Sequence, residues 1–388
     1  MEKENQTSRN LATQAIHAGS RPDPLYGAIS TPIYQTTSFA FADVGKSRGF
    51  DYSRTANPTR KVLEDTLLAL EGGAGAVATA SGMAALTTVV HLLGAGDHIL
   101  CQKGVYGGTY RLFADVMPAF GIETSFVDVD DEKALAQAIR PSSKMLWVES
   151  MTNPLLEVAD FEIALSFAKK KNLISVIDNT FTSPCFFRPL VLGFDVALHS
   201  TTKYINGHCD VIGGALVARE ESLAQKLKYL ANALGTTESA FDAWLVLRGM
   251  ETLYWRMKAH EENALAAARF LEAHPQVKKV YYPGLPGHAS HKRAKKYFSG
   301  AGGMVSFELR DQEAAHAFLR GLSLFAFAES LGGVASLAQH PFSMSHGAVP
   351  EEVKNRFGIT PGLIRLSLGL EDARDLIEDL GGALSCAG

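Results

Sequence analysis

Short apolar runs alternate with helix-periodic segments along most of this chain. The strand-like runs lie at 75–80, 98–101, 124–129, 145–150, 173–178, 195–200 and 213–218. Between them, apolar residues recur at helical spacing, as in FEIALSFAKKK (161–171) and in the stretch from Pro58 that carries Val62, Leu63 and Leu67. Strands that alternate with helices predict an α/β fold with a mostly parallel central sheet covered on both faces.

The two ends of the chain depart from this pattern. Gly and Pro recur in GSRPDPLYGAISTP near the N-terminus, and the aromatic residues of SFAFADVGKSRGF look exposed, so we expect an arm that contacts another subunit. A long helical stretch around 241–271 predicts a connector. Beyond it, strand-like runs at 304–310 and 363–370 predict a smaller α/β domain. The expected division is an arm over 1–60, a large domain over 61–256 and a small C-terminal domain over 257–388.

Composition and charge exclude several classes of protein. The 388 residues are 46% hydrophobic and 20% charged, which is ordinary for a globular enzyme. A net charge of −4 gives no electrostatic support for nucleic acid or an anionic membrane as a partner. No stretch approaches the ~18 apolar residues of a membrane span, and the polar MEKENQTSRN lacks the apolar region of a signal peptide. Four scattered cysteines suit a reducing compartment, so we expect a cytoplasmic protein.

Two polar residues follow apolar runs at corresponding points. Asp178 ends LISVID (173–178), and Lys203 lies just beyond DVALHS (195–200), with Ser200 and Thr202 beside it. The carboxyl ends of parallel strands meet at one edge of a sheet, where ligands bind. Pyridoxal phosphate (PLP) needs an amine for its Schiff base and a carboxylate that keeps its ring nitrogen protonated. A lone lysine is usually a surface residue and a lone Asp often a cap, but together they predict a PLP enzyme.

A second group of donors suits the cofactor's phosphate. SGMAA (81–85) follows the first strand-like run and begins a helix, so the backbone N–H groups of Gly82 and Met83 point at an anion. The alternative is a plain turn between strand and helix. Without a complete G-x-G-x-x-G, a dinucleotide fold gains no support.

Aromatic and basic residues suit the rest of such a site. Tyr106 begins YGGTYRLF (106–113); it is either a turn tyrosine or a ring that stacks on the cofactor. Arg111 is either a surface arginine or a ligand for a substrate's distal carboxylate. Arg365 lies in strand-like LIRLSLGL, where a buried charge needs a partner such as an amino-acid carboxylate. Asn153 and Ser330 are candidates to complete that cradle.

The triplet His208, Cys209 and Asp210 suggests a metal site. One His-Cys-Asp triplet cannot supply the four ligands of a tetrahedral zinc site. We therefore expect no metal.

Eight motifs together resemble the Cys/Met-metabolism family of PLP-dependent enzymes that act at the γ-carbon. The resemblance spans residues 13–384, and its motifs are YSRTANPTR (52–60), SGMAA, YGGTYRLF, ESMTNPLLEV (149–158), DNTFTSP (178–184), HSTTKYINGHCDV (199–211), AESLGG (328–333) and LIRLSLGLED (363–372). It implies fold type I, the aspartate-aminotransferase-like fold, and a homotetramer built from two active dimers.

The resemblance also implies a role for each site residue. Lys203 would attach the cofactor and then move protons, Asp178 would pair with the ring nitrogen, and Tyr106 would stack on the ring. The phosphate would be bound by residues of the same subunit and by an arm from the neighbouring one: Gly82, Met83, Ser200 and Thr202, with Tyr52 and Arg54 of the neighbour. The substrate would be held by Asp51, Arg111, Asn153, Ser330 and Arg365.

Within the family, the motifs favour one branch. YGGTYRLF, NPLLEV, AFDAWLVLRG (240–249) and Asp51 look most similar to the cystathionine γ-synthases, which join an O-acylhomoserine to cysteine. The cystathionine γ-lyases are the alternative. Methionine γ-lyases, which commonly have Cys where this chain has Gly108, and sulfhydrylases are less similar, and a non-catalytic scaffold is a remote alternative. Ala335 replaces a Glu usual in synthases and γ-lyases, which implies an altered thiol specificity.

Overall fold

Helices and strands alternate along the chain, which a computed structural model describes over residues 9–347 and 350–387. The strands are β1 Gly75–Thr79, β2 His98–Gln102, β3 Glu123–Val127, β4 Ser143–Glu149, β5 Ile174–Asp178, β6 Val196–His199, β7 Gly214–Ala218, β8 Lys279–Tyr281, β9 Met304–Glu308, β10 Ala326–Phe327, β11 Leu337–Gln339 and β12 Leu363–Ser367. The α-helices are α1 Leu11–His17, α2 Pro58–Glu71, α3 Gly82–Val90, α4 Gly107–Arg111, α5 Glu132–Ala138, α6 Phe161–Lys171, α7 Ser183–Phe186, α8 Pro189–Leu192, α9 Glu221–Leu234, α10 Ala240–Met250, α11 Leu253–Ala273, α12 His291–Tyr297, α13 Gln312–Gly321, α14 Glu351–Arg356 and α15 Ala373–Cys386.

The strand-like runs of the sequence are strands of the protein. The seven runs up to residue 218 correspond to β1 through β7, each boundary falling within two residues of its predicted place. The two C-terminal runs correspond to β9 and β12. These strand predictions are confirmed.

Two predictions of local structure are wrong in part. The single long helix expected around 241–271 is two helices, because the backbone N–H and hydroxyl of Thr252 both bond to the Gly249 carbonyl, at 3.3 and 3.2 Å, in a tight turn after α10. Apolar periodicity continues through that turn and therefore cannot reveal it. The N-terminal segment, expected to be irregular, contains α1. Residues 1–8, most of the polar N-terminus, lie outside the described residues.

The chain divides into two compact units, each formed by two segments. The first unit comprises Met1–Gly94 and Ser175–Trp255, and the second comprises Ala95–Ile174 and Arg256–Gly388. The domain boundaries expected at residues 60 and 256 stay a prediction. Within the described residues, no helix combines the length and apolar character needed to cross a membrane.

In the first unit, the strands run in the order β1-β7-β6-β5. β5 and β6 are parallel, with Asp178 paired to Leu198, whereas β7 is antiparallel to both of its neighbours. Helices α2 and α9 contact β1, and α3 contacts β7. The parallel pair brings the carboxyl ends of β5 and β6 to one edge, where Asp178 and the turn after His199 follow.

In the second unit, β4, β2 and β3 form a parallel group in that order. A separate five-stranded sheet has the order β10-β11-β12-β9-β8 and is antiparallel except for β10 with β11. The sheet packs on α11, α13 and α15 through a buried core that includes Leu271, Phe307, Phe318, Leu366 and Leu380. This is the smaller C-terminal α/β layer that the sequence predicts.

Local sequence sets where two helices of the first unit begin. Asn57 caps α2: its side-chain oxygen accepts the N–H groups of Thr59 and Arg60, and Pro58 occupies the first turn, where its missing N–H does no harm. Ser81 caps α3 by accepting the N–H of Ala84 at 2.9 Å. Since the Ser81 side chain bonds to Ala84, the N–H groups of Gly82 and Met83 are left for another acceptor.

Candidate active site

Lys203 lies in a tight turn of the first unit, directly after β6. Its N–H donates to the Ser200 carbonyl at 3.2 Å, and its own carbonyl accepts the N–H of Gly207 at 2.8 Å. The residue is half-buried, while its neighbours Thr201 and Tyr204 are fully buried. A buried turn of this kind fixes the lysine backbone at the carboxyl end of β6.

Asp178 ends β5, the strand that pairs with β6 in parallel. One oxygen of its carboxylate, Oδ1, accepts two hydrogen bonds from Thr180, from the N–H at 3.0 Å and from the hydroxyl at 2.6 Å. Burial raises the pKa of the Asp178 carboxyl, and the Thr180 bonds oppose that shift. A half-buried carboxylate in this position is best stabilised by a cationic N–H donor, which a protonated pyridine nitrogen is.

The N-terminus of α3 lies against the start of the Lys203 turn. A Cβ on Gly82 would lie 2.9 Å from the Cβ of Ser200 and 3.0 Å from its Oγ, so only glycine allows this approach. The contact brings a serine hydroxyl beside the first N–H groups of a nine-residue helix. Backbone N–H groups, a hydroxyl and a helix dipole form a donor set suited to a phosphate.

Thr202 has a different use for its hydroxyl. Its Oγ1 donates to the Gly213 carbonyl at 3.1 Å and accepts the Gly213 N–H at 2.9 Å. This pair of bonds, here called the Gly213 clamp, ties the Lys203 turn to the residue before β7. Phosphate binding by Thr202 would require the hydroxyl proton to turn away from Gly213.

The donor set of the first unit therefore fits PLP. It offers an amine on Lys203, a half-buried carboxylate on Asp178, and a group of donors at α3 and Ser200 that would suit a phosphate. Bound PLP would supply an electron sink for the carbanion formed at a substrate's Cα.

The three arm residues expected to serve a neighbouring subunit lie at the surface of the first unit. Tyr52 is 44% exposed, and its N–H donates to the Asp51 carboxylate at 2.6 Å. Arg54 donates to the Asn232 carbonyl at 2.7 Å and lies over the Tyr52 ring, 5.7 Å from its centroid. Arg54 thus satisfies a carbonyl in the last turn of α9, which is a favourable place for a cation.

In the second unit, Arg365 forms a buried cradle with two residues far away in the sequence. It lies in the middle of β12 and is 3% exposed. Its Nη1 donates to Asn153 Oδ1 at 2.9 Å, and its Nη2 donates to the Ser330 carbonyl at 2.9 Å. The three residues predicted to bind a carboxylate are brought together. Ser330 has φ 104°, a region that favours glycine, so its carbonyl is held there at the expense of backbone strain.

Tyr106 lies in the second unit, at the residue before α4. Its N–H donates to Oε1 of the buried Glu149 at 2.8 Å, which fixes the start of the helix. Burial raises the pKa of its phenol, with smaller contributions from Glu329 and Glu149, and Arg111 and Arg365 oppose them. The phenol therefore stays protonated near neutral pH, while the side chain remains partly exposed. Arg111 itself ends α4 as an exposed residue.

In the triplet His208, Cys209 and Asp210, the histidine and the aspartate both hydrogen-bond to Asn206. His208 Nδ1 bonds to the Asn206 carbonyl at 2.7 Å, and the Asp210 carboxylate accepts the Asn206 amide at 2.7 Å. Cys209 is exposed and reduced. Among the residues that the structure describes, no cluster of three His, Cys, Asp or Glu side chains could hold a metal ion.

Sequence reasoning missed several buried partners of these residues. Glu71, the last residue of α2, bonds to His199 Nε2 at 2.5 Å and accepts the amide of Asn179 at 3.2 Å, directly beside Asp178 in sequence. Glu149 supports Tyr106. In each case the contact joins segments more than forty residues apart, and neither residue belongs to a local pattern that would single it out.

A family model gives an independent result for the whole chain. The model described as Cys/Met metabolism PLP-dependent enzyme matches residues 12–385. The match covers the lysine turn of the first unit and the arginine cradle of the second.

Named relatives cover the chain from end to end. The cystathionine beta-lyase of Coxiella burnetii is 48% identical over 99% of this chain and all of that protein. The cystathionine gamma-lyase of Bacillus subtilis is 45% identical over 96% of this chain and 98% of that protein. A crystal structure of a cystathionine gamma synthase from Xanthomonas oryzae pv. oryzae, in complex with aminoacrylate and cysteine, superposes with a TM-score of 0.95 at 45% identity over 98% of each chain. The predicted fold is confirmed.

Proposed function

Because the chain belongs to the Cys/Met metabolism PLP-dependent enzymes, we propose that it cleaves cystathionine at the γ-carbon, yielding cysteine, 2-oxobutyrate and ammonia. The observation that carries this proposal is the buried cradle of Arg365, Asn153 and Ser330, whose guanidinium suits an amino acid's α-carboxylate. That the reaction makes or breaks a carbon–sulfur bond follows from the family.

The names of the relatives favour cleavage over synthesis. The relatives from Coxiella burnetii and Bacillus subtilis, at 48% and 45% identity, are both named as lyases. The second candidate is synthesis of cystathionine from an O-acylhomoserine and cysteine. It is supported by the solved synthase at 45% identity and by the motifs around Tyr106 and Asp51. Both reactions share removal of a proton from Cα and then from Cβ.

Each step assigns work to a residue of this chain. Arg365 would bind the α-carboxylate through the outer edge of its guanidinium, with Asn153 and Ser330 fixing its plane. The Lys203 amine would take the proton from Cα, since it is the amine at the carboxyl edge of the sheet. Once it has passed that proton on and is neutral again, it would act as the base at Cβ. The sulfur leaving Cγ takes a proton as cysteine. Water then releases ammonia and 2-oxobutyrate, which balances the atoms of the cleavage.

The remaining roles are proposed from the family resemblance. Tyr106 would stack on the cofactor ring and donate its phenolic proton, Asp178 would hold the ring nitrogen protonated, and Ser200 with Gly82 and Met83 would bind the phosphate. Tyr52 and Arg54 would reach the phosphate of a neighbouring subunit in a homotetramer. Asp51 and Arg111 would contact the distal part of the substrate.

Product analysis by mass spectrometry tests the proposal. Purified protein with PLP would be given cystathionine, and separately O-succinylhomoserine or O-acetylhomoserine with cysteine. We expect 2-oxobutyrate and cysteine from cystathionine. Pyruvate with homocysteine would instead show cleavage at the β-carbon, and cystathionine formed from an acylhomoserine without net cleavage would show the synthase. Lys203→Ala should abolish all products, while the matched variant of an exposed lysine on α9, Lys226→Ala, should leave them unchanged.

A further inference from the structure

A buried glutamate that the proposed chemistry does not use lies beneath the Lys203 turn. Glu238 is 2% exposed, and within the described residues neither oxygen of its carboxylate has a hydrogen-bond partner. Thr201, two residues before Lys203, is fully buried, and its hydroxyl also lacks a partner there. Three polar atoms without partners at one buried position need an explanation, because each is costly to leave unsatisfied.

Oε1 of Glu238 and the hydroxyl oxygen of Thr201 both lie close to Gly213. A Cβ on Gly213 would lie 2.4 Å from Glu238 Oε1 and 2.4 Å from Thr201 Oγ1. Gly213 is the same residue that the hydroxyl of Thr202 holds from both sides in the Gly213 clamp. Glu238 therefore contacts the clamp that fixes the cofactor-bearing turn, without belonging to the site itself.

The charges around Glu238 disfavour its anion. Arg60 on α2 donates to the backbone carbonyl of Glu238 at 3.0 Å and lies 3.7 Å from the Glu64 carboxylate, so its guanidinium is shared. Burial raises the pKa of the Glu238 carboxyl well above its usual range; Asp242 on α10 and Glu64 raise it further, and Arg60 opposes them. A neutral acid has one O–H donor, and the Thr201 hydroxyl beside Gly213 is an acceptor still without a partner.

We propose that Glu238 is a positioning residue: as a neutral acid it packs against Thr201 and Gly213 and holds the Lys203 turn in place, and its ionisation as the pH rises loosens the turn. An anion at this position would have no donor on either oxygen and would repel Glu64 and Asp242, so it must draw in water or move. Either response displaces the Gly213 clamp. The inference rests on the proposed function only in taking Lys203 as the cofactor lysine.

Hydrogen–deuterium exchange on the cofactor-free protein tests whether neutral Glu238 holds the Lys203 turn in place, without any assay of activity. Glu238→Gln keeps the shape of the neutral acid and cannot ionise. At the same alkaline pH, peptides covering residues 200–213 should exchange faster in the wild type than in Glu238→Gln, and equally at pH 6. Equal exchange of the two proteins at alkaline pH would overturn the proposal.

A second variant keeps the test decisive if Glu238→Gln folds poorly. Asp242→Asn removes one of the two acidic neighbours while its side chain can still accept the Ser239 hydroxyl. Because Asp242 raises the pKa of Glu238, its removal should shift the onset of faster exchange to lower pH. An exposed acid on α15 of the second unit, Asp375→Asn, serves as the matched control and should shift nothing. If faster exchange began at the same pH in Asp242→Asn as in the wild type, the proposed role of Glu238 would be contradicted.

The holoenzyme gives the functional readout. Glu238→Gln should keep wild-type activity within about twofold at neutral pH and stay active at alkaline pH where the wild type declines. Loss of activity already at neutral pH would show that the anion, not the acid, is required. If the protein does not turn over cystathionine at all, the proposed function fails while the exchange measurement still decides the role of Glu238.

Discussion

At the scale of single residues, the proposed cofactor site includes Asp178, a half-buried carboxylate whose described hydrogen-bond donors are uncharged. Asp178 receives both of its described hydrogen bonds from Thr180, and burial raises the pKa of its carboxyl. A cationic ring nitrogen would stabilise the ionised form. The same burial that disfavours the isolated anion therefore makes it a strong partner for a protonated ligand.

Asp178→Asn should weaken PLP binding by on the order of 100-fold or more, because removal of one partner from a buried ion pair costs about 3–5 kcal/mol. The measurement is PLP affinity by equilibrium dialysis. Asp195→Asn is the matched control: Asp195 accepts the N–H and hydroxyl of Ser175 at the opposite end of the same strand pair. The control should lower stability and leave PLP affinity unchanged. Equal affinity in Asp178→Asn and the wild type would remove Asp178 from the site.

The functional residues at strand ends could be predicted from the sequence, whereas the buried residues that hydrogen-bond to the site could not. Lys203 and Asp178 stand out because each follows a continuous apolar run, which is a local signal. Glu149 supports Tyr106 across 43 residues, and Glu71 meets His199 across 128. Such contacts depend on how the chain folds back, so no spacing in the sequence reveals them. The unused acid Glu238 belongs to the same class.

At the scale of elements, the strands were predictable because strands that are covered on both faces of a sheet are largely apolar. β1, β2 and β7 are buried throughout, and their sequences GAVAT, HILCQ and GALVA stand out against their surroundings. The break between α10 and α11 was not predictable from the sequence, because it depends on the hydrogen bonds that Thr252 makes to Gly249. Helix caps, in contrast, are short-range signals, as the Asn57-Pro58 start of α2 shows.

Asn57→Ala should destabilise the protein by about 2 kcal/mol, more than an ordinary cap. Asn57 is 1% exposed, and besides capping α2 it donates to the Tyr34 carbonyl at 2.9 Å, which the substitution leaves unsatisfied. Urea unfolding measures the change. Asp131→Ala removes the exposed cap of α5, which bonds to Lys133, and should cost less. An equal loss in the two variants would contradict this account of α2.

Acid should destabilise the second unit through His260 on α11. Its Nδ1 bonds to the Leu368 carbonyl at 2.5 Å, and burial, with a contribution from Arg256, lowers its pKa to about 4. The folded-state pKa lies below the unfolded value of 6.5, so the unfolded chain binds more protons between them. The stability that the neutral ring contributes is complete above pH 6.5 and lost as pH falls toward 4, by about 3 kcal/mol.

His260→Asn should reduce the loss of stability between pH 6.5 and 4, because the amide can still donate to the Leu368 carbonyl and does not titrate. Thermal unfolding between pH 4 and 7 measures the effect. The exposed His91→Asn is the control and should keep the wild-type slope. If the unfolding temperature of His260→Asn fell with pH as steeply as that of the wild type, another group would be responsible for the loss of stability in acid.

At the scale of the whole molecule, the N-terminal arm exposes several large apolar side chains. Leu25, Tyr26, Ile29 and Val44 are 74–96% exposed. Exposed apolar side chains of this size are typical of a segment that another subunit covers. The proposed homotetramer gives the arm that role and brings Arg54 to a neighbour's cofactor.

Arg54→Ala should weaken PLP binding in the assembled enzyme by about tenfold, since a hydrogen bond to a charged group contributes about 1.5–3 kcal/mol. Light scattering would establish the mass of the assembly, and dialysis the affinity. The exposed Arg374→Ala, whose arginine pairs only with Asp372 among its described contacts, is the control. Unchanged affinity in an intact tetramer would leave Arg54 with its α9 capping role alone.

Attachment of the cofactor to Lys203 can be tested by reduction of the holoenzyme. The holoenzyme would be reduced with borohydride, digested, and its peptides mapped by mass spectrometry. We expect a single pyridoxyl-phosphate adduct, on Lys203 in the peptide that spans HSTTKYINGH. An adduct on a different lysine, or a protein that takes up no PLP, would contradict it.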